Sequence, residues 1–363
     1  MSVRVGLSSG HRTLGMCLAV LVLSVEAQAY DLTALNGRDL AESFCEQVSP
    51  NDVEDCLIEI GFGIQLNGIN NKGQVSGFWY EEGGGVANVR SFIVNDIGSP
   101  TARTFLPLPK NLKLGWQGFM QAGKINNAGQ VVGTAFTSFH SPKGRFGYSY
   151  RDSTSVIGTV DLIKTFDLPG RFPNELVASN DLGDIAGNFV NSANTVSGFI
   201  WRVGTKKYER IDYPGAAWTW IHDINNRGDL IGLFYGDGFH AFLRHDGVFS
   251  IIDFPGVAPG PNGGPGTSVN GINNNGDVVG TYSIPYSFTY GDGTPGTGYH
   301  FHGFTLINQV YVTVDLNTVG RINGLDRQSL GFYNDVTDFL DINDRGQIVG
   351  QFDGFVSFVL TPQ

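Results

Sequence analysis

Ile272-Asn273-Asn274-Asn275-Gly276-Asp277-Val278-Val279-Gly280 is one of six near-copies of a single block in this chain. The others run from Ile69 to Gly77, Ile125 to Gly133, Ser179 to Gly187 (the weakest), Ile224 to Gly232 and Ile342 to Gly350. Asn70, Asn126, Asn180, Asn225 and Asn273 follow one another at 45 to 56 residues, and the last step, to Asn343, is 70. Repetition at a fixed period is the signature of a modular architecture. Within each block Asn-Asn-x-Gly reads as hairpin chemistry, with Asn bonding to its own backbone and Gly accepting a positive φ.

A second pattern follows the block, with a small or His residue ahead of an aromatic: Ser91-Phe92, Gly198-Phe199, His240-Ala241-Phe242 and His302-Gly303-Phe304. A third closes several units, as in Phe166-Asp167-Leu168-Pro169-Gly170, Ile211-Asp212-Tyr213-Pro214-Gly215 and Ile252-Asp253-Phe254-Pro255-Gly256. Each unit therefore reads as four short strands, A to D: A ends at Ile-Asn, B is the Gly-x-Val-Val-Gly run, C carries the Phe, and D ends before Pro-Gly. The expected fold is an all-β propeller of four-stranded blades. A β-helix does not fit, because its coils are much shorter. Ile322-Asn323 and Leu330-Gly331-Phe332-Tyr333 echo the pattern, as either a degenerate seventh blade or an insertion. With Asn323 and Asn343 too close for a full blade between them, six blades are favoured over seven.

The composition agrees. Gly supplies 51 of 363 residues, aromatics 12% and charged types 16%, against about 25% charged in ordinary chains. That describes a turn-rich β protein with a sizeable core and excludes disordered or collagen-like classes. A net charge of −11 makes nucleic acid a poor partner.

Arg4 and Arg12, an apolar run from Leu14 to Leu23, and Ala27-Gln28-Ala29 follow the order of a secretory signal peptide cleaved near Ala29. The run is too short to span a bilayer, so the mature chain, residues 30–363, is expected to be secreted or periplasmic, without a membrane span, and monomeric. In that setting Cys45 and Cys56 are expected to form a disulfide across a short N-terminal cap at residues 30–63, ahead of propeller repeats at 64–363. The last unit lacks its D strand. Either Tyr30-Asp31-Leu32 or the run from Leu57 to Ile60 is expected to supply it, closing the seam as propellers do.

The Ile-Asn-Asn-x-Gly-x-Val-Val-Gly blocks with His240-Ala241-Phe242 and His302-Gly303-Phe304 resemble the bacterial extracellular repeat family called HAF, after His-Ala-Phe, over residues 64 to 363. The resemblance implies a secreted repeat protein and carries no activity. Arg90, Ser197 and Val356 stand where the His would be, which marks that His as a packing or hydrogen-bonding residue.

In a propeller, A–B and C–D turns share one face, and B–C loops and D–A crossovers the other. The second set is long here: 78–90, 106–123, 135–148, 213–222, 233–239, 254–268, 281–301 and 317–338. Long loops on a rigid frame are where function concentrates. They carry Trp79, Tyr80, Trp116, Trp218, Trp220, Tyr235, Tyr290 and Tyr299, rings with polar handles suited to a carbohydrate or a protein surface. The reading is a binding module for an extracellular carbohydrate or cell-surface component. Its alternatives are a polysaccharide-degrading hydrolase or lyase, with Asp237, Asp292, His222 and His300 as acid/base candidates, and a structural surface protein. No catalytic motif is present, and no cofactor is expected. Nor is a metal: Lys72, Arg227 and Arg345 occupy turn positions where calcium would need oxygen, and His300 with His302 is only a pair where zinc wants three or four ligands.

Overall fold

The computed structural model describes residues 30–35, 63–83, 86–96, 103–107, 119–136, 145–153, 156–162, 174–258, 266–314, 337–352 and 356–362. They form six antiparallel sheets of four strands each. First in the chain comes β1 (Tyr30–Leu35). Blade 1 is β2 (Gly63–Ile69), β3 (Val75–Gly83), β4 (Val86–Val94) and β5 (Arg103–Phe105); blade 2 is β6 (Phe119–Ile125), β7 (Gln130–Phe136), β8 (Arg145–Ser153) and β9 (Val156–Leu162). Blade 3 is β10 (Asn174–Ser179), β11 (Ile185–Val190), β12 (Val196–Arg202) and β13 (Lys207–Ile211); blade 4 is β14 (Trp218–Ile224), β15 (Leu230–Tyr235), β16 (Phe239–His245) and β17 (Val248–Ile251). Blade 5 is β18 (Thr267–Ile272), β19 (Val278–Thr289), β20 (Pro295–Ile307) and β21 (Val310–Val314); blade 6 is β22 (Thr337–Ile342), β23 (Ile348–Phe352) and β24 (Val356–Pro362), completed at its outer edge by β1.

The A strands β2, β6, β10, β14, β18 and β22 touch in sequence and return to β2. This is a six-bladed propeller. Of the two candidate closing strands, β1 is the one used: Tyr30 pairs with Pro362 and Leu35 with Ser357. The echo at 322–333, the Leu57–Ile60 run and the Cys45–Cys56 cap lie outside the described residues. Among the described residues no helix is long and apolar enough to cross a membrane.

Each repeated position has a packing reason. The strand C aromatic, Phe92, Tyr148, Phe199, Phe242, Phe304 or Phe358, is buried at the heart of its blade, and burying such a ring is worth roughly 1.5–3 kcal/mol. The residue before it is small because the next blade presses there: a Cβ at Gly198 would strike Ile221, and one at Gly303 would strike Phe339. The Gly that ends each block permits close approach of strand A. A Cβ at Gly232 would land on the carbonyl oxygen of Trp220, and the other five block-ending glycines face a strand A carbonyl in the same way.

The Asp-aromatic-Pro-Gly motif staples blades together. Tyr213-Pro214-Gly215-Ala216 and Phe254-Pro255-Gly256-Val257 are turns closed by the N–H of the fourth residue donating to the carbonyl of the first, at 3.1 and 3.2 Å, with the Gly at φ +78 and +80. Pro followed by Gly is the pair such a turn selects. Tyr213 then stacks on Phe234 of the next blade at 3.6 Å, and Phe254 on Tyr282 at 3.9 Å. His240 also stacks on Phe234, and His302 on Tyr282, both at 5.2 Å. Asp253 accepts from the Ala241 N–H at 2.7 Å and bonds His240 Nδ1 at 2.6 Å. The His of His-Ala-Phe in blade 4 therefore packs and hydrogen-bonds.

The Asn-Asn turns do more than close hairpins. Asn70 donates its side-chain amide to the carbonyl of Asn126 at 3.0 Å, Asn126 to that of Asn180 at 2.8 Å, and Asn180 to that of Asn225 at 3.2 Å. Asn225 continues to Asn273 and Asn273 to Asn343, both at 3.1 Å, and Asn343 returns to Asn70 at 3.0 Å. A second ring lies beside it. The backbone N–H of Asn71, Asn127, Asp181, Asn226, Asn274 and Asp344 each donates to the side-chain Oδ1 of the next member at 2.7 or 2.8 Å. Asp181 and Asp344 each also accept amides from both neighbouring asparagines. Two hydrogen-bonded hoops thus tie the blades at one end of the channel.

Candidate functional site

The channel is shaped by a bulge that recurs in every blade. Where strand A pairs with strand B, the register slips just before Ile-Asn or Ser-Asn. A bulge re-aims side chains, and residues at the slips, Asn67, Gly123, Val177, His222, Asn270 and Leu340, all line a cavity of about 360 Å³. Strand A runs from the long-loop face towards the Asn hoops, so this cavity occupies the long-loop half of the channel. Gln65, Gln121 and Glu175 line it as well.

Its floor is Lys124. The Nζ atom meets Asp341 Oδ1 at 2.7 Å, Asp223 Oδ2 at 2.9 Å, and the carbonyls of Asn270 and Leu340 at 2.5 and 3.1 Å. Three N–H donors face four oxygens, which leaves none for a ligand. The carboxylates are held in turn by the N–H groups of Ile69 and Ile272, both at 2.8 Å. Burial works against the Lys124 charge, but the two aspartates outweigh it and hold its pKa above the ordinary value. Burial pushes Asp341 up to about 6 in spite of Lys124, with the Asp223 charge adding to the rise. One ammonium between two carboxylates leaves an excess negative charge in a site shut off from solvent, which is why one of the acids resists ionising.

His222 bonds the carbonyl of Val269 through Nδ1 at 2.7 Å, and burial pushes its pKa down. It is a neutral hydrogen-bonding group at physiological pH, since a lowered pKa lies below the usual value near 6.5.

The rim of the long-loop face carries two aromatic groups. In blade 4, Trp218 sits 5.6 Å from Trp220 and 5.2 Å from Tyr235, while Phe239 is 5.6 Å from Trp220 and 5.1 Å from Tyr235. Trp220 is partly buried against the core shared with blade 5, whereas Trp218 is exposed. In blade 5, β19 and β20 run well past the sheet as a paired ribbon, from Ser283 opposite Phe301 to Thr289 opposite Pro295. Period-2 alternation puts Ile284, Tyr286 and Phe288 on one side. Opposite Tyr286 and Phe288 stand Gly298 and Gly296, and a Cβ at either glycine would strike the facing ring. The rings therefore lie across the glycines. Tyr290 joins Phe288 at 4.8 Å, and His300 stacks on Tyr286 at 4.2 Å. Ile284, Tyr286 and Tyr290 are 45, 42 and 56% exposed.

The structure thus gathers Trp218, Trp220 and Tyr235 in one cluster and places Tyr290, Tyr299, Asp292 and His300 on the ribbon or its turn. Trp79 and Tyr80 fall in β3, with side chains outside the described set, and Trp116 lies outside the described residues. The four acid/base candidates sit in four different settings: Asp237 on His240 Nε2 at 2.9 Å, Asp292 accepting from the Thr294 N–H at 2.9 Å, His222 in the channel, and His300 on Tyr286. Among the described residues no group of three or more His, Cys, Asp or Glu side chains is placed to hold a metal. Sequence reasoning missed Lys124, Asp223 and Asp341. The available signal was their shared repeat position: the residue before each Ile-Asn or Ser-Asn reads Gly68, Lys124, Ala178, Asp223, Gly271, Asp341.

No family model matches this chain, and no curated protein does. Solved structures do. TolB from Acinetobacter baumannii is similar with a TM-score of 0.42 at 12% identity, over 82% of this chain and 54% of that one, so the chain spans about half of TolB's length. A point mutant of the Aleuria aurantia lectin in complex with Fucalpha1-6GlcNAc gives a TM-score of 0.42 at 10% identity, over 82% of this chain and 91% of that one. AofleA from Arthrobotrys oligospora gives 0.40 at 11%, over 70% and 87%.

Proposed function

We propose that this chain is an exported binding module that holds a neutral extracellular carbohydrate on its long-loop face, with the β19–β20 ribbon as the main platform. The observation that carries the reading is the aromatic ladder of Tyr286, Phe288 and Tyr290, with Tyr286 and Phe288 laid across Gly298 and Gly296 and both tyrosines open to solvent. Flat rings take the C–H face of a sugar, and the phenol groups supply hydrogen bonds at its edge. The chain's net charge of −11 disfavours a polyanionic ligand. Export rests on the leader pattern of residues 1–29 and on the resemblance to extracellular His-Ala-Phe repeats.

The purified mature chain, presented with neutral and acidic polysaccharides, is expected to bind a neutral one and to release no reducing ends. Absence of binding to every glycan would remove the proposal. Release of reducing ends would transfer it to the degrading-enzyme alternative.

A further inference from the structure

Just ahead of its bulge, each strand A carries one residue at a shared repeat position: Leu66, Ala122, Leu176, Ile221, Val269 and Phe339. At three of them the bulge residue of the preceding blade bonds the backbone carbonyl. Asn67 donates to Ala122 at 2.6 Å, while Asn270 donates to Phe339 and His222 Nδ1 bonds Val269, both at 2.7 Å. Blade 3 has Val177 at its bulge and uses another residue for the task. Asn188 on β11 donates its amide to the Ile221 carbonyl at 3.0 Å and accepts the Ile221 N–H at 2.7 Å. One side-chain carboxamide thus meets both backbone groups at once.

Blade 2 has neither device. Gly123 holds its bulge position, and Thr134 stands on β7 where blade 3 has Asn188, in the same register against strand A. Thr134 is only 4% exposed and lines the cavity above Lys124, yet among the described residues its hydroxyl has no hydrogen-bond partner. Leu176 lines the same cavity, and its register gives it the orientation of Ile221, with N–H and C=O turned away from β11 towards Thr134. Buried backbone groups require partners. A group that donates and accepts along one edge answers this pair, and Asn188 shows its shape. An amidinium or ammonium would serve the carbonyl and leave the N–H without an acceptor. A carboxylate would do the reverse, and the excess negative charge around Lys124 opposes it further. The cavity of about 360 Å³ gives room for the body of a small ligand. We infer that the interface of blades 2 and 3 opens on the channel as a site for a primary carboxamide, the end group of an asparagine or glutamine side chain, held by Leu176 and Thr134. This goes beyond the ribbon platform and does not depend on it.

The test is calorimetric titration of the mature chain with benzamide, benzoate and benzamidine, which share a planar shape and differ in what their edge donates and accepts. Benzamide is expected to bind one-to-one, with benzoate and benzamidine each about tenfold weaker or worse, since each leaves one buried backbone group unmet. Thr134→Asn supplies the carboxamide from the chain itself, as Asn188 does. It is expected to abolish benzamide binding and to raise the melting temperature by about 2 °C. Thr134→Val, which keeps the shape and removes the hydroxyl, is expected to weaken benzamide about fivefold, and it decides should Thr134→Asn fail to fold. Lys72→Ala, at an exposed turn tip, is expected to change nothing. Failure of benzamide to bind, equal or tighter binding of benzoate or benzamidine, or wild-type affinity in a folded Thr134→Asn would overturn the inference. Retained polysaccharide binding in such a case would leave the ribbon reading standing.

Discussion

Asn343 donates its side-chain amide to the backbone carbonyl of Asn70 at 3.0 Å, across 273 positions of chain, and so joins the sixth blade to the first. The same two blades also lie against each other through their A strands. At the outer edge of blade 6, β1 pairs in antiparallel register with β24. The ring is therefore closed twice, once at the channel by side-chain amides and once at the rim by a strand from the chain's other end.

The inner closure predicts a particular asymmetry. Asn343→Asp keeps the Oδ1 that accepts from the Arg345 and Gln347 N–H groups but loses the donor to Asn70 and to Gln347 Oε1. Hairpin chemistry alone would tolerate it. The carbonyls of Asn70 and Asn273 keep their turn donors, the N–H groups of Gly73 and Gly276, but each loses the bond between blades and meets a carboxylate oxygen in its place. A buried bond lost in this way costs about 1–3 kcal/mol, so urea unfolding is expected to show at least that loss for Asn343→Asp and for Asn225→Asp. Lys72→Ala, at an exposed turn tip, should stay within about 0.5 kcal/mol of wild type.

Lys124→Met strands two buried carboxylates beside each other. Breaking a buried ion pair from one side costs about 3–5 kcal/mol, and that is the expected drop. The triple variant Lys124→Met, Asp223→Asn, Asp341→Asn should recover most of it, because no uncompensated charge remains. Equal stability of the single and triple variants would mean that the ammonium is no keystone.

Asp341 gives this site a pH dependence. Its folded pKa is raised from 3.8 to about 6, so the folded state holds a proton that the unfolded state releases first. Its contribution is fully present below pH 3.8 and is lost as the pH rises through about 6. Asp229 and Asp344 act in the opposite sense: burial opposes their ionisation, but hydrogen bonds outweigh it and hold them below 3.8, so their contribution is lost in acid. Between about pH 4 and 7 the difference in stability between wild type and Asp341→Asn is expected to shift steadily in favour of the variant, whose amide stays neutral throughout. Chemical denaturation at each pH follows it, and a difference that does not change with pH would mean that Asp341 ionises as freely in the folded chain as in the unfolded one.

The four-stranded blades, their strand order and the preference for six could be read from the residues because each rests on local rules, whereas the choice between Tyr30-Asp31-Leu32 and the Leu57–Ile60 run as the closing strand came only from the pairing of β1 with β24. The six Ile-Asn and Ser-Asn blocks fix a repeating turn, the buried Phe fixes strand C, and the missing last strand demands a donor such as Tyr30–Leu35. The Asn hoops were hidden because the same residue type already satisfies the hairpin; only the contact between blades shows the second use of its amide. Lys124 was hidden for a related reason. A lone lysine in a β pattern reads as solvated, and its partners, Asp223 and Asp341, lie 99 and 217 residues away. The ribbon was legible as a long aromatic loop, but the pairing of Tyr286 with Gly298, which lays the ring flat, depends on register.

The most direct measurement is binding of the wild-type chain and of the double variant Tyr286→Ala, Tyr290→Ala to the same neutral polysaccharide, with thermal unfolding recorded in parallel. Both tyrosines are exposed, so the melting temperature should stay within a few degrees, while affinity falls at least tenfold, about 1.4 kcal/mol. Undiminished affinity in a folded double variant would contradict the account.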